Sequence, residues 1–377
     1  MKVCFVSHTS RLGGAERSLV ETVRALRSRN VECAVLLPSR GPLCELLDRI
    51  PVEYGIVPYK WWSAGECGKP WKRFARTIWN LVLTVPVALW IRKQKADIVY
   101  TNTVVICIGA WGAAVAGRRH VWHLRELGYV HNRMVFDLGE RFSTGLIPRL
   151  SMLVLANSHC VAEHYREALS PREAEVLYQC VQLPDDVVAC FPSKGDGFRC
   201  VVVGAIGFSK RQEEAVRAVA LLGEQGFQVE LAIVGEGDPR YEKLLRDLVV
   251  ELDVEDRVSF LGQLESAAPV IAGADAVVHC SRHEAFGRVT VEGMLSGKPV
   301  IGARSAGTAE LIRDGETGLL YEPGDVKQLA GALRRLIDDP GEARRLGATG
   351  REWARTRFTE ERFVSELLAL LEIGDRS

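Results

Sequence analysis

Two glutamates, Glu284 and Glu292, lie in the C-terminal half of the chain with seven residues between them. The intervening segment contains a Phe286-Gly287 turn and the start of an amphipathic helical pattern near Val289. The unpaired backbone N–H groups at a helix start attract phosphate. A carboxylate in the preceding loop can accept hydrogen bonds from sugar hydroxyls, and one within the helix can hold both hydroxyls of a ribose. This spacing indicates a site for a nucleotide sugar.

Helix capping is another explanation for each carboxylate alone, because acidic side chains are common at helix starts. Capping does not account for the pair together with three motifs that follow it, at 297–300 (GKPV), 307–310 (GTAE) and 314–318 (DGETG). Near the N-terminus, a glycine-rich run at 12–17 (LGGAER) follows an apolar run at 3–6. Together these motifs resemble the GT4-like family of retaining glycosyltransferases, and the likeness covers nearly the whole chain.

The resemblance implies a role for each residue of the glutamate segment. Glu284 would contact the transferred sugar, and Glu292 would bind the ribose. Phe286 and Gly287 would present backbone donors to sugar and phosphate, while Thr290 would contact phosphate from the helix start. One short segment would then hold three parts of the same donor.

A basic loop at 204–212 (GAIGFSKRQ) follows the first predicted strand of the second half. Lys210 and Arg211 occupy the positions of the family's phosphate-binding loop, where positive groups meet the charge of the departing diphosphate. Ala205 stands where many relatives carry an arginine, so charge neutralisation would depend on Lys210 and Arg211. The alternative is a solvated pair of charges at a helix start, which is common on protein surfaces.

Gly13 and Gly14 lack side chains, so their backbone N–H groups could approach phosphate closely. No G-x-G-x-x-G pattern follows residues 3–6, which disfavours a dinucleotide-dependent enzyme. His123, in 123–126 (HLRE), resembles the strand-end histidine that the family directs at the donor sugar. We expect its imidazole to contact a sugar hydroxyl, and the alternative is a histidine held there for structural reasons.

Composition is that of an ordinary globular protein, with 377 residues, 47% hydrophobic residues, and 48 basic against 48 acidic side chains. This length predicts two domains. The charge balance excludes a global bias toward nucleic acid. Ten cysteines without a C-x-x-C pair, and no secretory signal pattern, predict a cytoplasmic protein with buried thiols.

Residues 78–91 (IWNLVLTVPVALWI) are apolar and have basic residues on both sides. Fourteen residues interrupted by Asn80 and Pro86 are too short to span a bilayer. Two interpretations stay open: a core helix with solvated basic ends, or a helix that contacts the inner membrane face peripherally. The second would suit a lipid-linked acceptor.

Apolar strand-like runs alternate with helical patterns in both halves, which predicts parallel sheets covered by helices. We place an acceptor-side domain at 1–191, a turn-rich linker at 192–197 and a donor-binding domain at 198–359. The last helical pattern, within 360–377, is expected to return to the first domain as in the family. The alternation therefore predicts the α/β class with two doubly wound Rossmann-like domains, and the resemblance implies a GT-B arrangement with ligands in the cleft between them.

The resemblance implies transfer of a hexose-type sugar from a nucleotide diphosphate to an acceptor hydroxyl, with a front-face attack assisted by the leaving phosphate. No cofactor or metal is implied, since the chain has no D-x-D motif and no His/Cys ligand cluster. The acceptor stays open among lipid-linked, polysaccharide and small-molecule classes; Trp61-Trp62 and 129–133 (YVHNR) offer aromatic and basic hints. The alternatives are a non-catalytic nucleotide-sugar-binding subunit and a sugar-nucleotide epimerase.

Overall fold

The computed structural model describes residues 1–65, 69–128, 134–184, 186–193 and 195–373. It divides into two compact units: Met1–Cys180 together with Thr359–Ser377, and Val181–Phe358. The acceptor hint at 129–133 lies outside the described residues.

The first unit is a parallel sheet covered by helices. Its elements are β1 (Lys2–Val6), α1 (Gly14–Ser28), β2 (Glu32–Leu37), α2 (Pro42–Asp48), β3 (Glu53–Ile56), β4 (Ser63–Gly65), α3 (Pro70–Lys93), β5 (Ile98–Thr101), α4 (Ile108–Ala116), β6 (Arg119–Leu124), β7 (Met134–Phe136), α5 (Glu140–Leu150), β8 (Leu153–Ala156), α6 (His159–Leu169), β9 (Glu175–Val176) and, from the C-terminus, α14 (Glu360–Ile373). The main sheet has the order β3-β2-β1-β5-β6-β8-β9, and β4 pairs separately with β7. Core strands are apolar throughout because helices cover both faces of a parallel sheet.

The second unit repeats this plan with a six-stranded sheet in the order β12-β11-β10-β13-β14-β15. Its elements are β10 (Phe198–Val203), α7 (Gln212–Glu224), β11 (Val229–Val234), α8 (Pro239–Glu251), β12 (Val258–Gly262), α9 (Ala268–Gly273), β13 (Ala276–His279), α10 (Arg288–Leu295), β14 (Val300–Ala303), α11 (Ala306–Leu311), β15 (Leu319–Tyr321), α12 (Val326–Asp338) and α13 (Pro340–Arg357). Chain order reverses direction between β10 and β13. Ligands bind at such a switch point in open parallel sheets.

The first unit ends at Cys180, before the boundary predicted at residue 191. Residues 181–191 belong to the second unit, where the Cys190 N–H donates to the Pro269 carbonyl (2.9 Å). The turn-rich stretch 192–197 therefore lies inside that unit. Turn residues mark local reversals of the chain, whereas unit boundaries are decided by long-range contacts of this kind. Helix α14 belongs to the first unit and packs on α1.

Helix α3 is longer than its apolar stretch suggested, because the basic flank before residue 78 is helical and Pro86 is accommodated inside. By length and composition it is the one helix among the described residues that could cross a bilayer: its apolar window has a mean hydropathy of 1.5 and is 28% buried. The prediction that this segment is too short to span was thus wrong on length. The core-helix interpretation is also corrected, since one face is exposed.

The turn after β11 requires a glycine at position 235. Gly235 has a backbone φ of 137°, a conformation that other residues rarely adopt, and a Cβ there would lie 2.1 Å from the Gly204 carbonyl oxygen. The turn passes so close to the end of β10 that a side chain cannot fit.

We expect Gly235→Ala to lower the free energy of unfolding by about 3 kcal/mol, because it adds strain and a clash with backbone. Gly331→Ala is the matched control: Gly331 lies inside α12, and a methyl group added there would have no heavy atom within 4 Å, so alanine should stabilise by about 0.5 to 1 kcal/mol. Chemical denaturation of both variants measures the difference. Equal stabilities would contradict this explanation of the turn.

Candidate functional site

In the second unit, β10 and β13 are neighbouring parallel strands, so the loops after their carboxyl ends meet. The Arg282 N–H donates to the Ser209 carbonyl across these loops (3.3 Å), and the Ser281 hydroxyl donates to the same oxygen (3.3 Å). This contact brings the Lys210 ammonium into an ion pair with the Glu284 carboxylate. Two predicted catalytic side chains, 74 residues apart in the chain, are therefore in direct contact.

His279, the last residue of β13, holds Glu284 from the other side. Its Nε2 lies 3.3 Å from Glu284 Oε2, and its Nδ1 lies 2.8 Å from Thr290 Oγ1. An ionised carboxylate can only accept, so Nε2 carries the proton and Nδ1 accepts from the Thr290 hydroxyl. This chain of hydrogen bonds orients Glu284 beside Lys210. Sequence analysis missed His279; the available signal was a polar residue at the end of a buried strand.

The structure gives Thr290 a partner other than the predicted phosphate. Its side chain is fully buried, and its hydroxyl is occupied by His279. At the same helix start, Gly287 caps α10 with a left-handed backbone, and the Phe286 ring is buried against Phe358 with ring centroids 5.7 Å apart. The backbone of Phe286 and Gly287, rather than a side chain, is the part that a ligand could use.

Glu292 and Arg211 have partners of their own. Glu292 accepts a hydrogen bond from Arg288 Nε one helical turn earlier (2.9 Å). Arg211 caps α7 and pairs with Glu214, whose hydrogen bond raises the pKa of the guanidinium. Both predicted donor-binding side chains are thus pre-oriented by neighbours, and neither belongs to the Lys210 to Glu284 contact described above.

In the first unit, the glycine pair lies where the loop after β1 enters α1. Gly13 is the cap residue, its N–H donates to Glu16 Oε2 (3.2 Å), and a Cβ on it would lie 2.9 Å from that oxygen. Gly14 has no heavy atom within 4 Å of a Cβ position. A side chain at Gly13 would displace the Glu16 carboxylate from this hydrogen bond, and Gly14 leaves open space at the helix start.

A buried guanidinium organises the carboxyl ends of β5 and β6. Arg125 donates to Asn102 Oδ1 (2.8 Å), to Gln179 Oε1 (2.7 Å) and to His123 Nδ1 (3.2 Å). The Tyr100 hydroxyl also contacts His123 Nδ1 (2.5 Å). A guanidinium can only donate, so Nδ1 is an acceptor and the proton of the neutral ring resides on Nε2. The network fixes the tautomer of His123.

His123 is consequently a hydrogen-bond donor and not a base. Burial of its ring, together with the positive charge of Arg125, holds the pKa of His123 well below its ordinary value. Its Nε2 is buried and has no hydrogen-bond partner among the described residues. Since Nδ1 is occupied, the N–H at Nε2 is the group that this ring can offer to a ligand oxygen.

A second buried pair joins the β1 loop to α1. His8 Nδ1 lies 3.3 Å from Glu16 Oε1. Burial lowers the pKa of His8 to about 4 and raises the pKa of Glu16 to about 7. Burial thus favours the neutral forms of both groups. Neither residue was singled out from the sequence, because an acid in a first helical turn is ordinary.

We expect nitrogen-15 NMR to find His123 neutral and protonated on Nε2 from about pH 5 to about pH 8. Arg125→Met removes the donor to Nδ1 and the nearby charge, so the ring should populate both tautomers and its pKa should rise. His120 is an internal control, because burial alone lowers its pKa to about 3 and its partners are Thr101 and Ser151. An Nδ1-protonated His123 in the parent would refute the assignment.

The raised pKa of Glu16 predicts a pH-dependent stability. Its folded-state pKa of about 7 exceeds the ordinary 4.5. The contribution of Glu16 to the free energy of unfolding is therefore fully present below pH 4.5 and is lost as pH rises through 7. Glutamine mimics the protonated carboxyl. Over this window Glu16→Gln should gain on the order of 3 kcal/mol of unfolding free energy relative to the parent. Denaturation at several pH values measures this, with exposed Glu167→Gln as control; a pH-independent difference would contradict it.

Comparison with known proteins gives matches over both units. Residues 191–353 match the model of glycosyl transferases group 1, and residues 12–183 match that of glycosyltransferase family 4. The chain is 30% identical to the lipopolysaccharide core biosynthesis glycosyltransferase LpsD of Rhizobium meliloti over 384 residues, covering 99% of each protein. It is 26% identical to LpsE of the same organism, covering 97% of each.

Among solved structures, the chain is similar to Anabaena Alr3699/HepE in complex with UDP and glucose. The TM-score is 0.81 at 25% sequence identity, and the match covers 99% of both chains. Full-length likeness of sequence and structure agrees with the two parallel sheets and with the ordered motifs. The chain therefore belongs to the group 1 glycosyltransferases of the GT4 type, with the GT-B fold.

Proposed function

We propose that this glycosyltransferase transfers a hexose from a UDP-sugar to a hydroxyl of a glycan acceptor, with retention of anomeric configuration and without a metal ion. The observation that carries the proposal is the Lys210 ion pair with Glu284 at the switch point of the second sheet. The complex of HepE with UDP and glucose supports the choice of donor. The roles of LpsD and LpsE in lipopolysaccharide core biosynthesis support a glycan acceptor.

In the proposed reaction, the bond between the anomeric carbon and the diphosphate oxygen breaks as the acceptor oxygen attacks from the same face. Negative charge grows on the departing UDP, and Lys210 stabilises it together with the backbone N–H groups at the start of α10. The leaving phosphate takes the proton of the acceptor hydroxyl. No side-chain base is required, which agrees with an occupied Nδ1 and a depressed pKa at His123.

Glu284 and His123 position the sugar. Glu284 accepts from sugar hydroxyls while Lys210 and His279 fix its rotamer. His123 donates from Nε2 to a sugar oxygen, which would satisfy a buried polar atom that otherwise costs free energy. Glu292 binds the ribose hydroxyls, and its partner Arg288 holds it at the helix surface. We further propose that the protein works in the cytoplasm, where nucleotide sugars are available.

Thermal unfolding with UDP-, GDP- and ADP-sugars and a chelator tests donor choice. A ligand at 100 times its dissociation constant adds about 2.7 kcal/mol to the folded state, so one nucleotide class should raise the melting temperature. Glu292→Ala should abolish that rise, whereas Glu224→Ala, an exposed glutamate at the end of α7, should retain it. A rise only with added metal would reject metal independence, and a rise with GDP or ADP alone would reject UDP.

Steady-state kinetics and product analysis distinguish an effect on catalysis from an effect on donor binding. Lys210→Ala should lower kcat by about 10² to 10³ with a smaller change in donor affinity, because the phosphate charge grows in the transition state. Release of UDP in proportion to new glycoside, with the anomeric configuration read by NMR, identifies a retaining transferase. Altered donor without glycoside would indicate an epimerase, and donor binding without either product would indicate a binding subunit.

A further inference from the structure

Helix α3 carries a continuous apolar stripe on its exposed face. Seven large side chains follow helical spacing and are between 44% and 70% exposed: Trp71, Phe74, Ile78, Leu81, Val82, Val85 and Leu89. At 100° per residue they lie within an arc of about 100°, which is about 50° to either side of one line along the helix. With a rise of 1.5 Å per residue, the stripe is about 27 Å long. Single exposed apolar residues are ordinary, but an aligned set of this length marks an interaction surface.

The opposite face attaches α3 firmly to the first unit. Asn80, Thr84, Val87, Ala88 and Ile91 are buried there. The Asn80 side chain accepts from the Lys60 N–H and donates to the Lys60 carbonyl, both at 2.9 Å. The Trp79 indole N–H donates to the Pro58 carbonyl (2.8 Å). Although α3 is long enough to cross a bilayer, crossing would break these contacts and expose buried polar groups to lipid.

The charged side chains of α3 and its flanking residues are all basic. Residues 69–95 contain seven basic side chains and no acidic one. Arg73 and Arg76 are held by Asp137, and Arg92 by the carbonyl of Val115. Exposed lysines lie at both ends of the stripe. Lys69 and Lys72 flank its first residue, with the Lys72 ammonium 5.6 Å from the centre of the Trp71 ring, and Lys93 and Lys95 follow its last residue. The stripe is thus apolar in the middle and positive at both ends.

We propose that α3 is an interfacial helix that lies in the surface of a membrane containing anionic lipids. The apolar stripe enters the boundary between headgroups and acyl chains, and the terminal lysines contact lipid phosphates. Trp71 lies at one end of the stripe, and tryptophan favours the headgroup level. A second copy of this chain is a poor occupant, because a two-fold interface would place basic ends against each other or leave them unmatched.

Flotation with lipid vesicles tests the proposal. The full-length protein should bind vesicles of phosphatidylcholine mixed with phosphatidylglycerol, and bind phosphatidylcholine alone at least about tenfold more weakly, since anionic lipid attracts the lysines. Added salt should weaken binding because it screens these charges. Bound protein should show a blue shift of tryptophan emission. No binding to anionic vesicles by folded protein would overturn the proposal.

Two sets of variants test separately how the apolar stripe and the lysines contribute to vesicle binding. Phe74→Ser with Val82→Ser and Val85→Ser should reduce binding at least about tenfold, because each exposed side chain loses its favourable transfer from water. Leu244→Ser with Val250→Ser, exposed on α8, is the matched apolar control and should bind like the parent. Lys72→Glu with Lys93→Glu should remove the preference for anionic lipid. Lys327→Glu with Arg344→Glu, two exposed charges of the second unit, is the charge control.

Circular dichroism of every variant verifies folding, and sedimentation of the parent measures its oligomeric state. The proposal is supported by a folded stripe variant that stays in solution while its control floats with vesicles. It is overturned if the stripe variant and its control bind vesicles equally. It is also overturned if the parent is a dimer that does not bind vesicles and the stripe variant is a monomer. This test needs no sugar donor, so its outcome is independent of the proposed transfer reaction.

Discussion

Parallel pairing of strands is the constraint on which each unit depends. Hydrogen bonds between β10 and β13 align two segments that are more than 70 residues apart. The loops at the carboxyl ends of these two strands are therefore adjacent. In the first unit, β1, β5 and β6 do the same for the glycine loop, Asn102 and His123. Because backbone pairing already places these strand ends side by side, short loops are enough to bring the functional side chains together. Their positions are then refined by local hydrogen bonds.

Those local bonds differ in kind between the two units. In the second unit, Lys210 and Glu284 remain partly exposed and pair as ions, so either can exchange its partner for a ligand group at modest cost. In the first unit, Arg125 is buried and spreads its donors over neutral oxygens and a ring nitrogen. A buried cation without such acceptors would be costly. The Lys210–Glu284 pair of the second unit can therefore rearrange around a ligand, whereas Arg125 of the first unit is held in one position.

The sequence predicted the architecture well because strand and helix periodicity is local. The paired glutamates, the basic loop and the strand-end histidine were located from spacing and from family resemblance. The contacts that were not predicted depend on how the elements pack. The Thr290 hydroxyl bonds to His279 at the end of the preceding strand, and the first unit ends at Cys180 because of packing that turn residues do not encode. The exposure of α3 could not be read from hydropathy, since core and interfacial helices share a composition.

The return of α14 to the first unit has a consequence for how the protein is made. Phe363, Val364, Leu367 and Leu371 complete the core that also contains β1 and α1. Synthesis delivers these residues after the whole second unit has been translated. Part of the core of the first unit therefore stays uncovered until α14 has been made. The second unit is continuous in the chain and is free of this delay, so the order of completion during synthesis is the reverse of the order of the residues.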